Sequence, residues 1–97
     1  MTQWTITKDH LAEPNAPAGT NRNAAGMVGP SAATLTAAQI TGNPRAVIFR
    51  MRDDDGELCY EGAMVGDDTF APLDNFGTPN AGCTSIEVFD GHRWTAV

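Results

Sequence analysis

The sequence predicts an α+β fold dominated by an antiparallel sheet of about five strands, with one or two short helices. Three observations carry that prediction: a period-two run at the start, a pair of alternating runs joined by "DDDG", and a second pair around "FDGH". Ninety-seven residues suffice for one modest core, so residues 1–97 are expected to form a single domain. Apolar residues make up 41% of the chain, but Ala, Gly, Thr and Asn crowd out the large aliphatics, which predicts a thin core.

In "TQWTIT", Trp4 and Ile6 alternate with Gln3, Thr5 and Thr7, the signature of a half-buried strand rich in sheet-favouring residues. Between Glu13 and Pro44 the composition shifts to Ala, Gly, Pro, Asn and Thr. A long loop at about residues 13–33, partly mobile, follows from how little this stretch can bury. A connection of that length needs some structure of its own, so a short strand at "GMVG" or a helix is expected. Ser31 or Thr34 as cap, Leu35, Ala38 and Ile40 near helical spacing, and Gly42 with Pro44 as stop predict a helix over about 34–41.

The run "AVIFRMR" sets Val47, Phe49 and Met51 on one face and Arg50 and Arg52 on the other; "ELCYEGAMV" sets Leu58 and Tyr60 opposite Cys59 and Glu61. Asp-Gly is a strong turn signal, since Gly takes positive φ freely and Asp accepts hydrogen bonds from turn amides. A four-residue loop pairs Met51 with Leu58 and Arg52 with Glu57; a two-residue turn pairs Met51 with Tyr60 and Arg50 with Glu61. An odd loop without a bulge would turn one strand's apolar face to solvent and is rejected. Either accepted register keeps the apolar residues on one side, and Arg52 and Arg50 are the expected cross-strand partners of Glu57 and Glu61.

Phe70, Leu73 and Phe76, spaced by three, predict one helical or 3₁₀ turn docking three side chains, ended by Gly77 and Pro79. "TSIEVF" and "RWTAV" then predict a second hairpin, with a three-residue loop pairing Glu87 with Arg93 and Ile86 with Trp94.

Charge separates along the chain. Up to Arg52 there are five Lys and Arg against two carboxylates; from Asp53 onward Arg93 stands alone against ten, for a net charge of −6. A field of that sign repels phosphate backbones, which argues against direct nucleic-acid binding and for a partner with a basic surface. No basic stretch precedes an apolar run and no apolar window reaches membrane-spanning length. No membrane association is therefore expected, and the cytoplasm is the expected location. Cys59 and Cys83, twenty-four positions apart, suit neither a disulfide framework nor a zinc spacing, so reduced thiols are expected.

The run "FRMRDDDGELCYEG", followed by "FAPLDNFGTPNAGCTSIEVF" and a Trp near the end, resembles a group of small bacterial proteins. These share an N-terminal W-x-I-T-K-D and a DDDG…YEG…PLD-x-FG-x-PNAGCT pattern, and no activity is attached to the group. The resemblance spans Trp4 to Asp9 and Phe49 to Trp94. It implies a shared fold that includes Trp4 and Trp94. Where such proteins often carry two adjacent tyrosines, this chain has Cys59-Tyr60.

Seven of the twelve carboxylates fall within residues 52–68. As an EF-hand the cluster fails: counted from Asp53, Leu58 stands at the glycine position and Met64 at the final ligand. "PNAGCT" is no cysteine-hydrolase signature, and "GMVGP" lacks the lysine and the flanking strand and helix of a phosphate loop. No enzymatic activity and no cofactor are expected. The leading expectation is an interaction module whose acidic face, built from Asp53, Asp54, Asp67, Asp68 and Asp74, docks a basic protein surface. One alternative is a phage- or plasmid-type nucleic-acid mimic inhibiting a defence or DNA-handling complex; another is a small ligand-binding or enzymatic domain. With so short a sheet, one face could be covered by the long loop or by a second copy of the chain.

Overall fold

A computed structural model describes all residues, 1–97. The chain forms β1 (Gln3–Asp9), β2 (Val28–Gly29), α1 (Ala37–Thr41), β3 (Val47–Arg52) and β4 (Leu58–Val65). A π-helical turn, Leu73–Gly77, then runs directly into α2 (Thr78–Ala81), and β5 (Ser85–Phe89) and β6 (Trp94–Ala96) complete the chain. All six strands lie in one antiparallel sheet in the order β2-β1-β4-β3-β5-β6. The fold is therefore α+β and mainly antiparallel, with one strand more than the sequence predicts.

The period-two pattern sorts the side chains onto two faces. The inner face carries Trp4, Ile6, Phe49, Met51, Tyr60, Met64 and Ile86, all buried. The π-turn and α2 cover it through Leu73, Phe76 and Ala81, and the loop contributes Ala24 and Met27. An aromatic ladder ties the layers: Phe76 sits 5.3 Å from Trp4 and 5.0 Å from Tyr60, centroid to centroid. Gly77 permits this docking, because a Cβ there would strike Met51 Sδ at 2.6 Å. The helical segment consequently passes through Gly77 and Pro79, with Pro79 in the first turn of α2, and stops at Gly82, which is left-handed with φ +68. Those two residues are not the stop predicted from sequence; tertiary packing overrides local propensity. Phe70 also departs from expectation, staying outside while Leu73 is buried.

The outer face is only partly covered. Gln3 Oε1 accepts from the Thr34 and Leu35 amides, both at 2.8 Å, and so draws α1 across β1 and β4, where Ile40 is fully buried. The cap of α1 is Thr36 rather than Ser31 or Thr34. Its hydroxyl accepts from Gln39 N, and Gln39 Oε1 accepts from Thr36 N, a reciprocal capping box. The predicted loop is held at several points, with Ile6 N donating to Met27 O at 3.0 Å and Gly26 N to Ile6 O at 2.7 Å, and "GMVG" supplies β2.

Both hairpin registers are resolved by their turns. Val47 to Met51 pair with Met64 to Tyr60, as for a two-residue turn, yet the loop itself is odd: Asp53 N donates to Glu57 O, leaving Asp54, Asp55 and Gly56 between them. A register shift between Met51 and Arg52, with Cys59 as the extra residue, absorbs the difference. In the second hairpin Phe89 pairs with Trp94 and Asp90 N donates to Arg93 O, leaving Gly91 (φ +99) and His92 as a two-residue loop. The predicted Glu87–Arg93 and Ile86–Trp94 pairs do not form. The tighter turn shifts β6 along β5.

Candidate functional site

The outer surface of β3, β5 and β6 lies beyond α1. Alternation sends Ile48, Arg50 and Arg52 outward from β3 and Glu87 and Phe89 from β5, with Trp94 beside them on β6. Arg50 Nε donates to Glu87 Oε1 at 2.7 Å, and Arg52 Nε donates to the same oxygen at 3.0 Å. These two guanidinium groups hold the Glu87 carboxyl below its ordinary pKa. Arg52 Nη1 also reaches Gly56 O at 2.9 Å, anchoring the first hairpin's turn. The Arg50 guanidinium stacks 4.1 Å from the Trp94 ring centroid, and Phe89 lies 5.2 Å from Trp94. Ile48 is 43% and Phe89 37% exposed, so the patch is apolar, aromatic and open.

Beside this patch the sheet ends in a free edge. Val97 N donates to Ile86 O and Asp90 N to Arg93 O. In the alternating ladder this turns the peptide groups of Arg93, Thr95 and Val97 toward β5, and those of Trp94 and Ala96 outward. The opposite edge is the two-residue β2, followed by Pro30.

Structure does not gather the predicted acidic residues into one face. Asp53 and Asp54 lie in the turn before β4; Asp67 and Asp68 lie after it, with a strand of eight residues, about 26 Å, between. Asp74 projects from the π-turn over the inner face. Two of the five have local structural roles. Asp53 Oδ1 accepts from Asp55 N and Glu57 N at 2.9 and 3.0 Å, and Asp68 Oδ1 accepts from Phe70 N at 3.0 Å. The expected arginine partners of Glu57 and Glu61 are taken by Glu87, because β5 joins β3 on the side away from β4. Glu61 bonds His10 Nε2 at 2.6 Å instead.

The aromatic–arginine patch went unrecognised in the sequence, although a signal was there. In "SIEVF" the inward residues Ile86 and Val88 leave Phe89 on the polar face, and in "AVIFRMR" Ile48 shares its face with Arg50.

A cavity of about 210 Å³ opens between β1, β4, the loop and α2. Tyr60, Phe76 and Met27 form its apolar wall, and Asp9, Asn21 and Asn80 its polar rim. Burial, followed by the nearby Asp9 charge, pushes the Tyr60 phenol up to about 12. Cys59 and Cys83 are free and buried. Burial, with a hydrogen bond from the Cys83 thiol to Cys59, pushes Cys83 up to about 12, so it is held protonated and un-nucleophilic at neutral pH. No helix is long and apolar enough to cross a membrane.

Comparison with family models, curated proteins and solved structures finds no significant match to this chain.

Proposed function

We propose that the protein is a non-enzymatic interaction module that accepts an extended segment of a protein partner along the free edge of β6. The outward peptide groups of Trp94 and Ala96 offer the main-chain hydrogen bonds of strand addition, and Trp94 with Phe89 offers an aromatic seat for the segment's apolar side chains. The observation that carries this reading is the Phe89–Trp94 pair, Phe89 exposed and Trp94 half-buried, beside an unpaired edge.

Charge supports a particular occupant. Asp90, Asp67 and Asp68 lie at one end of the strands and Asp53, Asp54 and Asp55 at the other, while Arg50 and Arg52 are drawn inward onto the one carboxylate of Glu87. A segment with an apolar centre and basic flanks complements that arrangement, the aspartates steering encounter more than adding affinity.

Panning a library of extended peptides against the protein tests the reading. Binders should share alternating apolar residues flanked by Lys or Arg and should quench or shift Trp94 fluorescence. Ala96→Pro removes only an outward N–H, a substitution edge strands tolerate, and should abolish binding while the fold persists. Binders indifferent to both Ala96→Pro and Phe89→Ser would refute the edge, and concentration-dependent dimerisation lost in Ala96→Pro would give the edge to a second copy instead.

A further inference from the structure

We infer that the cavity between β1, β4, the loop and α2 is a binding site for a small organic cation, a primary ammonium with a short apolar tail. The hydrogen-bonding capacity of its walls is the first reason. Asp9 Oδ1 accepts from Leu11 N and Oδ2 from Ala24 N, both at 2.8 Å. These bonds fix the carboxylate in place and leave further lone pairs on both oxygens. Asn80 Nδ2 donates to Phe76 O at 2.9 Å, which leaves its Oδ1 as acceptor. Thr20 Oγ1 spends its proton on Pro17 O at 2.8 Å. Asp9 and Thr20 are left with acceptor capacity alone and Asn80 with a free acceptor oxygen beside its second N–H, so a ligand that only donates, as an ammonium does, meets an acceptor on each of the three.

Charge is the second reason. Asp9 is the one formally charged group of the lining. Lys8, next in the chain, pairs across from Glu61 on the opposite face of the sheet, so it does not neutralise the site. An anion would meet an uncompensated carboxylate there, whereas a cation meets a carboxylate and two aromatic rings, Tyr60 and Phe76, packed edge to face at 5.0 Å.

Size is the third. At about 210 Å³ the space falls below the roughly 300–1,000 Å³ that enclose drug-sized ligands, which restricts the occupant to a handful of non-hydrogen atoms. Met27 and Phe76 give a short alkyl tail an apolar wall. The site lies on the inner face, across the sheet from the aromatic patch, so its occupancy and the proposed strand addition are separable.

Titrating the ¹⁵N-labelled protein at pH 7 with n-butylammonium chloride, n-butanol and sodium butyrate, at constant ionic strength set with potassium chloride, tests the inference. Saturable shifts of the Asp9, Tyr60, Phe76 and Asn80 amides are expected with n-butylammonium, with n-butanol at least about tenfold weaker and butyrate without effect. Asp9→Asn should weaken n-butylammonium by about tenfold or more. Should Asp9→Asn fail to fold, Asn80→Lys decides, because it sets a tethered ammonium at the rim from an exposed position on α2 and should abolish binding. Butanol binding as well as the ammonium, butyrate binding more tightly, no saturable shift, or full binding by a folded Asn80→Lys would each overturn the inference.

Discussion

The Arg50 guanidinium lies 4.1 Å from the Trp94 ring centroid while its Nε donates to Glu87 at 2.7 Å, so one side chain joins strands β3, β5 and β6 across the open face of the sheet. β6 is a three-residue strand at the sheet's edge and depends on such ties. Stacking on a half-buried ring contributes about 1 kcal/mol and a charge-assisted hydrogen bond somewhat more. Replacement of Arg50 by Ala should therefore cost about 2 kcal/mol in urea unfolding and redden Trp94 emission, with Arg50→Lys recovering part of the stability but not the spectral position.

Gly62 lies in β4 where the backbone of β1 and the Phe49 ring converge. A Cβ there would collide with Thr5 O and with Phe49 Cζ at 2.5 Å. Gly62→Ala should cost about 2–3 kcal/mol, the usual scale for overpacking a close-fitted core. Amide exchange should accelerate first in β1, whose pairing with β4 is forced apart.

Neighbouring aspartates in the first turn should behave differently. Asp53 accepts two turn amides, whereas Asp54 stands exposed at the tip. Loss of those bonds in Asp53→Ala should lower stability by about 1 kcal/mol, or about 4–8 °C in Tm. Asp54→Ala should stay within about 0.5 kcal/mol. Equal effects in thermal scans would mean the Asp53 bonds carry no weight.

Glu87 ties stability to pH through its two arginines. Its folded pKa is depressed, with the Arg50 hydrogen bond the largest cause and that of Arg52 next. The unfolded chain thus binds the proton more readily, so this contribution is fully present above the ordinary carboxylate range near 4.3 and is lost as pH falls through the lower folded value. Acid titration of the unfolding midpoint should show that limb, and Glu87→Gln should flatten it. Tyr60 acts at the other extreme: its raised pKa favours the fold below pH 10, and that advantage is lost as pH rises from there toward about 12.

Both cysteines should resist a thiol reagent in the folded protein and react together on unfolding. Cys59 and Cys83 are sealed in the core, and a thiol held near 12 exposes almost no thiolate at pH 8. Fast labelling of either residue under native conditions would show that the core around Cys59 and Cys83 opens locally.

The strands and their faces could be read from sequence because alternation is local: Trp4, Ile6, Phe49, Met51 and Ile86 all fall inward as their pattern predicts. Registers were harder, since each depends on one turn. The bulge at Cys59 lets an odd loop serve an even register, and composition carries no mark of it. Partner choice was least legible. Arg50 faces Glu61 across β3–β4, but the contact that forms runs to Glu87 on a strand distant in sequence. Distance within the predicted acidic site was equally illegible, because Asp53 and Asp68 are close along the chain yet separated by the full length of β4.

The sheet order β2-β1-β4-β3-β5-β6 also bears on how the protein is made. β1 is synthesised first, yet its long partner is β4, with Gln3 opposite Val65 and Trp4 opposite Met64. Until β4 leaves the ribosome, β1 can pair only with the two residues of β2, and the Trp4 indole has neither Met64 nor Phe76 to cover it. A nascent chain that stalls before Val65 therefore presents an aromatic strand without its mate, a ready substrate for chaperones and proteases, whereas passage of that point lets the two longest strands close together.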